Sequence, residues 1–360
     1  MKSLMIMAGN RARAHIQTQG LSANDIVALA GAAGGPKGLI LNGLDRFIFG
    51  EWLGHTERPR QLIGASIGAW RMAAACSPNP IAAFERLAQQ YTEAQCYRKG
   101  ATIDEITAVC DSMIRTIIST EAAQMAHHPT RHLLSWVNRG RPAVHTKDGR
   151  ASKSGFAAAV IANTSSRGKL GRFLERVVYA NPQADLKWLQ DGFDTIPSEY
   201  RQLDEHNLQS SLLASGSIPF ILHPVHTIPG SPAGPYWDGG LTDYHLALPY
   251  DRLDGLVLYP HFVPSITPGW LDKWVKRRRA PAQWLTNMIL ICPTPELVAS
   301  LPNGKIPDRK DFSGYKFDHT VRMRNWKTCM AESQRMADEW AAFVEKPDMS
   351  LVQALGDARR

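Results

Sequence analysis

Short apolar runs that break into glycine alternate with segments of helical spacing over the first quarter of the chain. Residues 25–30 (DIVALA) run into Gly31, Ala32, Ala33, Gly34 and Gly35, which predicts a buried strand breaking into a tight loop. After Gly38, the spacing of Leu39, Ile40, Leu41, Leu44, Phe47 and Ile48 fits one helix face. Residues 61–63 form a second short apolar run, and residues 67–76 are rich in helix formers up to Ser77-Pro78. Strand, glycine loop, helix, then strand, tight turn, helix is the opening of a parallel α/β sheet.

Further on, Asn79-Pro80 starts a helix with Ile81, Phe84, Leu87 and Tyr91 on one side. Thr102 and Glu105 make a capping box ahead of Ile106, Cys110, Met113 and Ile117. Residues 120–154 are polar and predict a loop or lid-like excursion. Residues 156–162 and 176–180 predict strands, and 207–215 a helix ending at Gly216. Residues 255–259 and 288–292 predict later strands, and 326–344 one long helix. No clear linker divides the chain. We expect an N-terminal segment (1–23), a catalytic domain (24–255) and a C-terminal extension packed on it (256–360).

Composition narrows the class. With 44% hydrophobic and 21% charged residues among 360, the chain can bury a large core. The five cysteines are scattered without metal or redox spacing, which predicts a reduced, cytoplasmic protein. No apolar stretch reaches membrane-spanning length, and the amino terminus lacks a secretory h-region. His127, His128, His132 and His145 invite a metal reading, but Pro129 interrupts them and no HExxH pattern occurs. We expect them exposed, and expect neither metal nor cofactor. The formal charge is +8. Part of it lies in Lys273, Lys276, Arg277, Arg278 and Arg279, beside Trp270 and Trp274. That mixture suits either a solvated face or peripheral contact with an anionic lipid surface; a nucleic-acid partner is not expected.

Three motifs could carry chemistry. Gly64-Ala65-Ser66-Ile67-Gly68 matches G-x-S-x-G, in which a serine sits on a sharp strand-to-helix turn that needs glycine on either side. The helix after it points its positive end toward a developing oxyanion. Upstream, Gly34 and Gly35 of the AGGPKG loop could donate backbone N–H groups to that oxyanion. Read as a P-loop, the stretch fails at Pro36 and Gly38; read as a dinucleotide fingerprint, it fails at Ala33. The third motif is Asp238-Gly239-Gly240. It could be a hairpin turn between residues 236–237 and 241–242, or Asp238 could be the base that a serine nucleophile needs. Asp243 competes for that role.

The glycine loop, GASIG and WDGG occur in this order, and together they resemble the patatin-like phospholipase family. Its pattern is G-G-G-x-(K/R)-G, then G-x-S-x-G, then D-G-(A/G). Residues 211–225 (SLLASGSIPFILHPV) also resemble the family's segment before the aspartate. The resemblance covers roughly residues 24–250. It implies a three-layer α/β fold with a mostly parallel central sheet flanked by helices, and a lipid acyl hydrolase working through an acyl-enzyme. It implies Ser66 as nucleophile and Asp238 as its direct partner, with Gly34, Gly35 and the Lys37 N–H as oxyanion donors. Ala33 departs from the pattern, since a glycine is usual there. Two other readings stay open: an α/β-hydrolase with a Ser66, Asp238 and His261 (or His245) triad, and a non-catalytic lipid-binding protein using residues 270–279.

Overall fold

The computed structural model describes residues 2–275 and 277–356. Its strands are β1 (Leu4–Ala8), β2 (Ile26–Gly31), β3 (Arg60–Ala65), β4 (Arg131–Gly140), β5 (Leu174–Ala180), β6 (Ser198–Gln202), β7 (Tyr236–Asp238), β8 (Leu256–Pro260), β9 (Met288–Pro293) and β10 (Val352–Ala354). They form one mostly parallel sheet flanked by helices, in the order β10-β1-β9-β8-β2-β3-β4-β5-β6, with β7 on β4. β2, β3, β8 and β9 are nearly all apolar and fully buried along the middle of the sheet, as parallel strands covered on both faces must be. β8, β9 and β10 lie in the same sheet as β2 and β3, so the C-terminal third of the chain shares the core.

The register of β4 brings the distant motifs together. β3 runs parallel to β4 and ends with Ala65 opposite Trp136. β7 runs antiparallel to β4 and places Asp238 opposite Val137. Ala65 and Asp238 therefore face consecutive residues of one strand, and the chain after β3 meets the chain after β7.

Four expectations need correction. Residues 120–154 are not a lid-like loop, since β4 lies within them. Its Arg131, His132, Ser135 and Asn138 disguise it as polar. His132, Ser135 and Asn138 are nonetheless buried, and Arg131 and Asn138 bond main-chain carbonyls. Residues 156–162 belong to the helix Lys153–Ser165, not a strand. Ser152 caps it by accepting from the Gly155 N–H at 3.2 Å, and the cap overrides the apolar run. Residues 326–344 form two helices, His319–Glu332 and Gln334–Glu345, broken at Ser333. There the Ser333 hydroxyl accepts from the Gly43 N–H at 2.8 Å. Of the four histidines expected at the surface, only His127 is exposed. His132 is buried, while His128 and His145 are half-buried; His132 and His128 are held by the turn that leads into β4.

Candidate active site

Ser66 follows β3 directly and occupies the position before the Ile67–Ala75 helix, with φ 56° and ψ −130°, without a side-chain bond to the helix. A non-glycine residue in that conformation is strained. The flanking glycines are required by contact. A Cβ on Gly68 would lie 1.8 Å from the Gly31 carbonyl oxygen, and one on Gly64 would lie 2.4 Å from the Ala69 Cα. Only glycine lets the turn close that tightly.

Asp238 ends β7 and is followed by the short helix Gly240–Asp243, so the hairpin between 236–237 and 241–242 does not form. Gly239 passes so close to β4 that a Cβ would lie 2.1 Å from the Trp136 carbonyl oxygen, and Gly240 packs on the Ala33 methyl. The Ser66 hydroxyl donates to Asp238 Oδ2 at 2.7 Å, and the Gly240 N–H donates to Oδ1 at 2.7 Å. Both side chains are almost fully buried. Burial raises the Asp238 pKa to about 6, against the opposing bonds from Ser66 and Gly240. Its other competitor, Asp243, lies elsewhere. Although burial disfavours its charge, Arg176 and Arg167 hold Asp243 ionised in a buried network.

Two residues that the motifs do not mark tie the turn down. The Ser66 N–H donates to the Ser215 hydroxyl at 2.9 Å, which donates in turn to the Trp136 carbonyl at 2.7 Å. Asn138 donates to the carbonyls of Asp238 and Gly239. Ser215 lies within the 211–225 segment, but nothing in the spacing assigns it to the turn.

The glycine loop faces the same point. Gly34, Gly35, Ser66 and Asp238 line one cavity. The Ala33 N–H donates to the Tyr244 carbonyl at 2.8 Å, so the alanine in place of glycine removes no donor from the loop's open side. Gly34 packs under the Phe262 ring, and Gly35 has φ 59°. The segment Gly35–Leu41 is a 3-10 helix. In such a ladder the free donors are those of Gly34 and Gly35, because Pro36 has none and the Lys37 N–H is the first able to reach back to a carbonyl.

Neither histidine of the triad reading hydrogen-bonds Ser66 or Asp238. The Thr267 N–H donates to His245 Nδ1 and the Val263 N–H to His261 Nδ1. The two rings pack edge to face at 4.3 Å beneath Tyr244 and Phe262. Burial lowers both pKa values, His261 to about 3.

The basic segment is only partly a free surface. Asp272 accepts from Arg167, Arg278, Asn163 and the Gly269 N–H. Arg278 therefore points inward, Arg277 bonds the Thr164 carbonyl, and Arg279 bonds the Arg278 carbonyl. Lys276 lies outside the described residues. Lys273 is solvent-accessible but lies 3.8 Å over the Tyr244 ring; partial burial of its ammonium and the like charges of Lys37 and Arg309 lower it to about 7. Trp270 and Trp274 wall the cavity, and Trp274 remains 63% exposed.

A family model for patatin-like phospholipases matches residues 32–249. The chain belongs to that family. The match spans the glycine loop, the Ser66 turn and Asp238, and membership places this patatin-like chain among lipid acyl hydrolases. No curated protein shows significant similarity to it. The patatin-like region ends just before β8, yet the wall of the site does not: Phe262, Trp270, Trp274 and Arg309 come from beyond it. Among the described residues, no helix is long and apolar enough to cross a membrane.

Proposed function

We propose that this chain is a serine lipid acyl hydrolase that cleaves carboxylic esters through Ser66 and Asp238. The observation that carries the reading is the 2.7 Å bond from the Ser66 hydroxyl to Asp238 Oδ2. It lies where a strained strand-to-helix turn meets an apolar cavity of about 370 Å³. Asp238 takes the Ser66 proton as Oγ attacks the ester carbonyl. The N–H groups of Gly34 and Gly35 receive the oxyanion, and we assign the hole to these two and not to Lys37. Asp238 then hands its proton to the departing alcohol, and water hydrolyses the acyl-enzyme with the same base.

Lipid as substrate fits the lining and the rim. Phe156, Leu241, Trp270 and Leu271 make the cavity apolar. Phe220 and Trp274 at its edge, and Ile161 nearby on the same helix as Phe156, are exposed. A rim of that kind suits peripheral contact with a lipid surface, with Arg309 at the cavity wall to meet anionic groups.

The test separates a dyad from a triad. Purified wild type, His245→Gln and His261→Gln are assayed on a panel of phospholipid, glyceride and small soluble esters, with rates referred to folded protein. The expected result is hydrolysis of lipid esters, with both variants within about tenfold of wild type. A loss of about 10³ or more in either variant is the signature of a histidine base and would overturn the dyad.

A further inference from the structure

Ser66 lies between two cavities, not at the end of one. The first, about 370 Å³, opens beneath Phe156 and Trp270; the second, about 320 Å³, runs under Trp70 to Met113. They share Gly35, Ser66, Ile218 and Arg309, but Asp238 lines only the first. We infer that the two lobes divide the substrate at its scissile bond, with the alcohol limb in the first and the acyl chain in the second. This rests on the Ser66–Asp238 reading above and extends it.

Proton transfer fixes the assignment. As the bond from Ser66 Oγ to the carbonyl carbon forms, the hydroxyl proton moves to Asp238 Oδ2. When the bond from that carbon to the alkoxy oxygen breaks, the same proton must reach the departing oxygen. A general acid works only within hydrogen-bond reach, about 2.6–3.2 Å, so the alcohol has to leave on the Asp238 side. The tetrahedral carbon carries four groups: Oγ, the oxyanion turned to the glycine loop, the leaving oxygen, and the acyl carbon. With three placed, the acyl carbon is left facing Ile67 and Trp70. Met113, fully buried, lies at the inner end of the acyl lobe.

Both lobes are predominantly apolar, so the substrate class is an ester with an apolar limb on each side of the carbonyl. The alcohol lobe would be wasted on an ester of a small polar alcohol. Ile106, half-buried in the acyl lobe, and Ala157, exposed on the helix that walls the alcohol lobe, determine how much chain each lobe admits.

Two homologous series test this. One varies the acyl group from butyryl to palmitoyl on a constant p-nitrophenyl alcohol; the other varies the alcohol from ethyl to hexadecyl on a constant butyryl group. Wild type, Ile106→Trp and Ala157→Trp are compared by kcat/KM, with Ile106→Phe and Ala157→Phe as smaller substitutions should the indole impair folding. Ile106 variants are expected to lose about tenfold or more on long acyl chains relative to butyryl and to keep the wild-type profile over the alcohol series. Ala157 variants are expected to do the reverse. The opposite pairing, or equal losses in both series, would overturn the division. Labelling of Ser66 by a fluorophosphonate is read in parallel. Labelling with swapped profiles sinks the lobe assignment alone, whereas no labelling of wild type sinks the Ser66 reading and the assignment with it.

Discussion

Replacement of Asp238 by Asn is expected to slow ester turnover by about 10²–10⁴, the contribution of a positioned general base, while making the fold more stable at neutral pH. Asn keeps the shape and both hydrogen bonds, since its Oδ1 can still accept from the Gly240 N–H and its amide can donate to Ser66. It cannot take a proton. The stability change has the opposite sign because the native carboxyl is raised from 3.8 to about 6 by burial. A folded-state pKa above the unfolded one contributes stability that is fully present below about pH 4 and is lost as pH rises through about 6. At pH 8 wild type therefore carries a buried charge that the variant lacks, worth up to about 3 kcal/mol. Thermal melts at about pH 4 and pH 8 check this: the variant should gain over wild type at the higher pH only. Such a trade of stability for activity is what a working site imposes, and a merely structural aspartate would give a destabilised variant.

Ser66→Ala should reduce turnover by about 10⁶, to background, as loss of a serine nucleophile does elsewhere. Fluorophosphonate labelling should vanish with it. The backbone supplies a control that does not depend on activity. At φ 56° alanine inherits the strain of serine, whereas glycine does not. Ser66→Gly should be equally inactive yet more stable than Ser66→Ala by about 1 kcal/mol. If alanine proves the more stable of the two, the strained turn described here is wrong, whatever the kinetics.

The parts of the site legible in the sequence are those where backbone approaches backbone. Gly64, Gly68 and Gly239 each sit where a Cβ would strike a main-chain atom of a neighbouring strand or helix, and close approach of that kind writes glycine into the chain at fixed spacing. The order of strands and helices around the first two motifs was readable for the same reason. β4 was not. It is the strand that sets Ser66 beside Asp238, but its buried polar residues find partners far away in sequence, such as Thr242 for Asn138, and periodicity cannot foresee them. The helix Lys153–Ser165 was missed because its alanine-rich run carries almost no amphipathic pattern. Its meaning lies in Ser152 and in Phe156, which packs edge-on against Phe220 and Trp237. The basic tryptophan segment misled in another way. Composition counts Arg278 as a surface cation, whereas Asp272 and Asn163 draw it inward. Arg309, at the seam of both cavities, carries no local signal at all.

The pH dependence of the fluorophosphonate labelling rate of Ser66 tests most directly whether Asp238 is the base. Only the ionised carboxylate can accept the hydroxyl proton, so the rate should be flat above about pH 6 and fall about tenfold per pH unit below it. The buried histidines, lowered far beneath that range, should leave no inflection of their own. A rate that stays level down to about pH 4.5, or an inflection that disappears in His245→Gln or His261→Gln, would contradict the account.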